Sequence, residues 1–186
     1  MDKDSKVRYR EIDEHLGRLN VIAQSLVTAQ WQRKLDPQDL VQVTLKSAYA
    51  SFHKFDRQSD SDAVRGWLTE IMRNKWVDIC KHYHAAKRNI DLERSFAAEF
   101  DQSVAGLDAW CPANQTSPSM AVSRNEQLAM LAEGLRQLSP EQREVVVQKH
   151  INNRSIVQIA TQMERTPESV TGLLRRGLAN LRVYLK

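Results

Sequence analysis

Apolar residues recur at three- and four-residue steps along most of the chain, which is the period of one face of an α-helix. This spacing predicts a helical region over 9–33, a helix from Pro37 to about 52 and a long helix over 63–87. Four further helices are predicted over 123–137, 140–150, 156–163 and 167–185. The pattern therefore predicts an all-α fold.

The stretch from Ser155 to Leu185 has the pattern of a helix-turn-helix. The first helix is apolar at Ile156, Ile159, Ala160 and Met163, and the second at Val170, Leu173, Leu174, Leu178 and Leu181. Thr166 is the expected N-cap of the second helix, and Pro167 suits its first turn. An apolar back with a basic front is typical of a helix that enters the DNA major groove. A helical hairpin packed in a bundle has a similar pattern and is the alternative.

Two other Xaa-Pro pairs predict helix starts. Asp36 would cap a helix that begins at Pro37, and Ser139 would cap one that begins at Pro140. Gln142 stands three residues after Ser139, the spacing of a capping box.

The chain carries a net charge of +4, and its charges are unevenly distributed. Residues 65–88 contain six basic and two acidic residues, and residues 165–186 contain five and one. Between them, residues 89–123 contain one basic and five acidic residues together with Gly106, Pro112 and Pro118. We therefore predict a domain over 1–92, an acidic linker over 93–122 with at most a short helix at 92–100, and a helix-turn-helix domain over 123–186. The fold class is two small helical domains joined by a linker.

Composition excludes several classes of protein. The charged N-terminus and the absence of an apolar run of about 20 residues argue against a signal peptide or membrane span, so a soluble, cytoplasmic protein is expected. No Gly-rich phosphate loop or nucleophile–base signature is present, which argues against an enzyme and gives no cofactor. Cys80, His82 and His84 are the one set that invites a metal, but only Cys80 and His84 share a helix face. We predict no metal site and keep a metal-dependent enzyme as a distant rival.

The predicted helix over 63–87 interleaves basic residues with aromatic ones. Cations can follow phosphates while planar groups stack on unpaired bases, so this composition suits single-stranded or melted nucleic acid. Both Trp67 and Trp76 could instead belong to the core, and at least one is expected there.

Three blocks of the sequence resemble bacterial RNA polymerase sigma factors of the extracytoplasmic-function group. The block Asp39-Leu40-Val41-Gln42-Val43-Thr44 resembles the helix that binds core polymerase. Trp67-Leu68 with Ile71 and Arg73-Asn74 resembles the helix that opens the minus-ten element. The third block, which resembles the promoter-reading C-terminal domain, comprises Leu135, Leu138, Ser139-Pro140, Gln142-Arg143, Val145, Ile159-Ala160, Val170, Leu174, Arg176 and Leu181-Arg182.

The resemblance implies a protein that directs core RNA polymerase to promoter DNA and helps to open it, with catalysis left to polymerase. The implied polymerase-binding residues are Asp39, Gln42, Val43 and Lys46. Those implied to bind the minus-ten element are Arg57, Ser59, Arg65, Trp67, Arg73, Asn74, Lys75, Lys81, Lys87 and Arg88. Those implied at the minus-thirty-five element are Arg165, Thr166, Glu168, Ser169, Thr171, Gly172, Arg175 and Arg176. An anti-sigma protein is a further implied partner, and the acidic linker would thread through polymerase.

The sequence departs from the family pattern in two places. Val43 stands where an acidic residue is usual, which changes the polarity of the polymerase contact. Thr171-Gly172 stands where Lys or Arg followed by Ser is common, so more of the binding is expected from Arg175, Arg176 and the backbone. The alternative function is a helix-turn-helix regulator that does not dock on polymerase.

Overall fold

The computed structural model describes residues 11–28, 31, 34–52, 55, 61–84, 90–112 and 118–185. The helices in these ranges are α1 (Leu16–Leu26), α2 (Pro37–Ser51), α3 (Ser61–Tyr83), α4 (Ile90–Trp110), α5 (Pro118–Gln137), α6 (Pro140–His150), α7 (Ile156–Gln162) and α8 (Pro167–Tyr184). The same residues contain no strand, and the predicted all-α fold is confirmed. No helix within them is both long and apolar enough to cross a bilayer.

The predicted helix starts are confirmed by their capping hydrogen bonds. The Asp36 carboxylate accepts from the Gln38 N–H at 2.7 Å, and Asp39 completes a capping box. Ser139 accepts from the Gln142 N–H at 3.4 Å, and Thr166 accepts from the Ser169 N–H at 3.3 Å. Each of these caps precedes a proline in the first turn, where the missing N–H removes no intrahelical bond.

The irregular structure expected over 93–122 is corrected by the structure. Helix α4 spans Ile90–Trp110, and α5 begins at Pro118, five residues before the predicted start at 123. The buried side of α4 contains few large apolar residues. Phe100 and Leu107 are fully buried, while the polar Ser103 occupies the buried position between them. The boundaries at 92 and 123 stay a prediction.

Helix α1 lies at the centre of the molecule. It packs on α2, α4 and α5, and from Val21 to Leu26 every residue is buried. A Cβ added to Gly17 would lie 2.6 Å from the Ala129 backbone nitrogen, so the backbones of α1 and α5 approach closely there. The Gln24 side-chain amide donates to the Ala132 carbonyl at 3.0 Å. One apolar core thus runs through both halves of the chain.

The helix-turn-helix contains a second, smaller core. Its buried members come from α6, α7 and α8: Val145, Ile159, Ala160, Val170 and Leu173. The two helices therefore pack on each other and on α6, as the apolar pattern of 155–185 predicts.

Candidate nucleic-acid interface

The turn between α7 and α8 sets the angle between these two helices. Glu164 has a positive φ of 53°, the left-handed conformation that commonly ends a helix, although Gly is the usual residue there. The Arg165 N–H donates to the Ala160 carbonyl at 2.9 Å and closes this turn. The outer face of α8 is thereby placed on the surface of the molecule.

The structure brings the predicted minus-thirty-five residues together at the N-terminal half of α8. Arg165, Thr166, Glu168, Thr171, Arg175 and Arg176 are exposed, and Ser169 and Gly172 are half-buried. Arg165 forms an ion pair with Glu141 of α6, and the Thr171 hydroxyl donates to the Pro167 carbonyl at 2.8 Å. Among the described residues, no ion pair involves Arg175 or Arg176.

Gly172 makes room for the side chain of Arg176. A Cβ added at Gly172 would lie 3.4 Å from Nη1 of Arg176, so the guanidinium lies back over this turn of α8. The Arg176 side chain covers Gly172 in this arrangement, and a close approach of DNA to the backbone there stays a prediction.

The predicted minus-ten residues of α3 are in a different situation. Arg65, Arg73 and Lys81 each form an ion pair, with Asp62 at 3.5 Å, Asp101 at 2.9 Å and Glu93 at 3.0 Å. The hydrogen bond to Asp101 raises the pKa of Arg73 above its ordinary value. Asn74 is exposed and Lys75 is half-buried. Arg57, Ser59, Lys87 and Arg88 lie outside the described residues.

The two tryptophans of α3 have separate roles. Trp76 is fully buried, which confirms that at least one of them belongs to the core. Trp67 is half-buried, with its ring 5.7 Å from that of Phe52 and 4.9 Å from that of Phe55. Trp67 therefore remains partly open to a ligand while three aromatic rings brace the start of α3.

Buried charge lies where α1, α3 and α5 meet. His15 is almost fully buried, and this burial together with Arg65, Arg18 and Arg124 lowers its pKa to about 4. Arg18 donates to both carboxylate oxygens of Asp108 on α4, at 2.6 and 3.2 Å. The sequence identified neither residue, because a single His or Arg in a helical pattern carries no signal of burial.

The predicted polymerase-binding residues form one stripe on α2. Asp39, Gln42, Val43 and Lys46 are all exposed, while Leu40, Val41, Thr44 and Ala48 are buried on the opposite side. The Asp39 carboxylate also accepts from the Asp36 N–H at 3.3 Å, so this residue stabilises the start of α2. Val43 adds an exposed apolar surface to the stripe.

Cys80, His82 and His84 do not converge. Cys80 is fully buried, and burial followed by the nearby Glu99 carboxylate raises the pKa of its thiol. The His84 ring lies 5.7 Å from Trp31 and 5.3 Å from Phe96, whereas His82 is exposed. Within the described ranges, no group of three or more His, Cys, Asp or Glu residues could hold a metal ion.

Comparison with known families covers most of the chain. The Sigma-70 region 2 family matches residues 12–88, which include α1 to α3. The Sigma-70, region 4 family matches residues 128–181, which include α6, α7 and most of α8. Helix α4 falls between the two matches. No curated protein and no solved structure gives a match. The two regions support a role in promoter recognition, and the region 4 match is of the extracytoplasmic-function type. The chain therefore belongs to the sigma-70 family and is a sigma factor of the extracytoplasmic-function type.

Proposed function

We propose that this protein docks on core RNA polymerase, carries it to specific promoters and helps to open the DNA there. The observation that carries the proposal is the presence, in one chain, of an open basic recognition helix and a second basic helix with a partly open tryptophan. Helix α8 would read the minus-thirty-five element as a duplex. Helix α3 would hold the minus-ten element after it melts.

The chemistry of α8 favours phosphate and backbone contacts over a dense set of base contacts. Arg175 and Arg176 can bind phosphates or guanine edges, and the Thr171 hydroxyl can still accept a hydrogen bond while it donates to Pro167. Glu168, near the N-terminus of α8, could accept from a cytosine amino group. With Gly172 allowing close approach, part of the specificity would come from the shape of the DNA.

The chemistry of α3 suits an unpaired strand. Arg65, Arg73 and Lys81 are half-exposed or exposed cations along one helix, and they would track successive phosphates. The exposed part of Trp67 offers a flat surface for a base, and its aromatic neighbours hold it in place. Two modest contacts joined in one chain discriminate better than either contact alone.

The stripe on α2 is the proposed polymerase contact. Three of its residues are polar or charged, and Val43 would contribute the apolar part. An anti-sigma protein remains a prediction from the family, as does a cytoplasmic location. Catalysis of RNA synthesis would belong to polymerase.

The test of the proposal is run-off transcription with core polymerase on genomic fragments, followed by mapping of the start sites. New transcripts that require the protein are the expected result. A protein that binds these fragments alone but adds no transcript would instead be the helix-turn-helix regulator.

The polymerase contact has a sharper test in Gln42→Arg. Gln42 is fully on the outer side of α2 and makes no capping bond, unlike Asp39, so the substitution places a new charge in the stripe without weakening the helix start. We expect association with core polymerase to fall by at least about tenfold, the size of a defect at a docking contact. Gln127→Arg, at an exposed position of α5, is the matched control. Equal association of the two variants would exclude this stripe.

A further inference from the structure

Helix α4 lies against the basic side of α3. The Asp101 carboxylate accepts from Nε of Arg73 at 2.9 Å and from Nη2 at 3.3 Å, and Glu93 lies 3.0 Å from Nζ of Lys81. In both helices the two charged residues are eight positions apart, and they pair in opposite order along the chain. Eight helical residues rise about 12 Å, which is also the rise of about three to four nucleotides of one strand. The carboxylates thus occupy cations that a DNA strand would use.

The apolar side of α4 holds these carboxylates in place. Phe100 and Leu107 are fully buried in the main core, and the Phe96 ring lies 6.2 Å from the Trp31 ring. Since exposed ion pairs contribute little to stability on their own, this burial is the main reason why α4 stays on α3. The ion pairs place the carboxylates of α4 on Arg73 and Lys81 of α3.

Helix α4 also contacts the C-terminal half of the chain. A Cβ added at Gly106 would lie 1.7 Å from the Ile151 carbonyl oxygen, so α4 meets the end of α6 at backbone distance. The Ser103 hydroxyl donates to the Asn152 side-chain carbonyl at 3.1 Å. Helix α4 therefore contacts both α3 and the residues that follow α6.

We propose that α4 is an autoinhibitory clasp, with its carboxylates on Arg73 and Lys81 competing with DNA for the minus-ten face in the free protein. A strand can bind that face fully only when Glu93 and Asp101 are displaced. The inference rests on the proposed function, because it takes α3 to be a DNA-binding helix. Neither family match includes α4, so this device belongs to the stretch between the two promoter-binding regions.

The test uses the full chain without polymerase and a fluorescein-labelled oligo(dT) strand of about 20 nucleotides, a length that spans a typical single-strand site. The variant is Glu93→Gln with Asp101→Asn, which removes both charges while preserving side-chain size and the apolar side of α4. We expect the strand to bind about three- to tenfold more tightly, because the two exposed ion pairs no longer compete with it. The salt dependence should steepen by about 0.7 in log–log slope per released cation.

The matched control is Glu126→Gln with Glu133→Gln. It changes the net charge equally, but both residues are exposed on α5, and Glu133 pairs with Arg136 of its own helix. This control should change affinity by less than about twofold, since neither carboxylate is among those that pair with the cations of α3. Equal gains in the two double variants would overturn the proposal.

Adding Lys81→Ala to the Glu93→Gln, Asp101→Asn variant should remove part of the gain and lower the salt slope again. A gain that survives intact would also overturn the proposal, because the released cation would then not be its source. A gain specific to α4, in a protein that gives no run-off transcript, would overturn the proposed sigma function and leave the clasp standing.

Discussion

Helices α3 and α8 are both basic, but they differ in how far the rest of the chain covers their predicted DNA-binding cations. On α3, Arg73 and Lys81 pair with carboxylates of α4. On α8, Arg175 and Arg176 are exposed, and no described residue forms an ion pair with either. The difference lies in the neighbours and not in the helices themselves. A basic helix is a DNA-binding surface only to the extent that its own chain leaves it uncovered.

The two helices also differ in how they are supported. Helix α8 rests on the small core that it shares with α6 and α7 and, through Leu181, also on the main core. Helix α3 rests on the main core, which includes α1, α4 and α5. The next helix in the chain, α4, supplies the carboxylates that pair with Arg73 and Lys81 of α3.

The largest expected effect is a loss of stability in the main core as pH falls. Because the pKa of His15 is about 4 in the folded chain and ordinarily 6.5, the unfolded chain binds a proton that the folded chain excludes between these values. The contribution is complete above pH 6.5 and is lost towards pH 4, with about 2 kcal/mol gone at pH 5. Arg65, Arg18 and Arg124 face the ring with the same sign of effect, and Asp62 opposes them.

Urea unfolding at pH 7 and pH 5 measures this effect, with His15→Gln as the comparison. The glutamine variant keeps a polar side chain and cannot titrate, so subtracting its curve removes the contribution of the carboxylates and of His150. A difference between the two proteins that does not change with pH would contradict the assignment to His15.

The next effect concerns the attachment of α4 to the C-terminal half. Gly106→Ala should lower the free energy of unfolding by about 2 kcal/mol, because the new Cβ would overlap the Ile151 carbonyl and a backbone atom cannot rotate away. Urea unfolding at pH 7 measures this loss of stability.

Gly66→Ala in α3 is the matched control for Gly106→Ala. No atom lies within 4 Å of a Cβ at Gly66, so alanine there should stabilise the helix by about 0.5–1 kcal/mol. If the two alanine variants have the same stability, the close contact between α4 and α6 does not constrain position 106.

The smallest expected effect is on α8. Arg175→Ala and Arg176→Ala should each weaken binding to a mapped minus-thirty-five fragment by about fivefold, roughly 1 kcal/mol, and lower the salt slope by about 0.9 if the lost contact is to a phosphate. Footprinting at fixed salt measures the affinity. Arg136→Ala on α5 removes the same charge elsewhere and should leave the footprint unchanged. An unchanged footprint in the α8 variants would place the reading face elsewhere.

Local features of this fold could be predicted from the sequence, and tertiary ones could not. Asp36, Ser139 and Thr166 were identifiable as caps because a cap is defined by its next three residues. The surface position of Arg175 and Arg176 follows from the helical period alone. Helix α4 was obscured because Ser103 interrupts its apolar side and Gly106 lowers its helix propensity. Both residues are explained by contacts with Asn152 and Ile151, about 45–50 positions away.

The ion pairs that Arg73 and Lys81 form with α4 could not be predicted from the sequence either. The sequence indicates a basic helix and an acidic segment, but not that they lie side by side at matching eight-residue spacing. The left-handed turn at Glu164 is similar, because Glu has no preference for positive φ and the packing of α7 on α8 imposes it.

The buried thiol of Cys80 is a natural probe of local opening of the structure. Its sulfur is shut away from solvent, with the Glu99 carboxylate of α4 near enough to hinder ionisation, so a thiol-reactive dye can modify it only during an excursion that uncovers it. Cys111 is half-buried and provides an internal reference for the reagent. The ratio of the two labelling rates therefore reports how often the interior beneath α4 becomes accessible, without any change to the sequence.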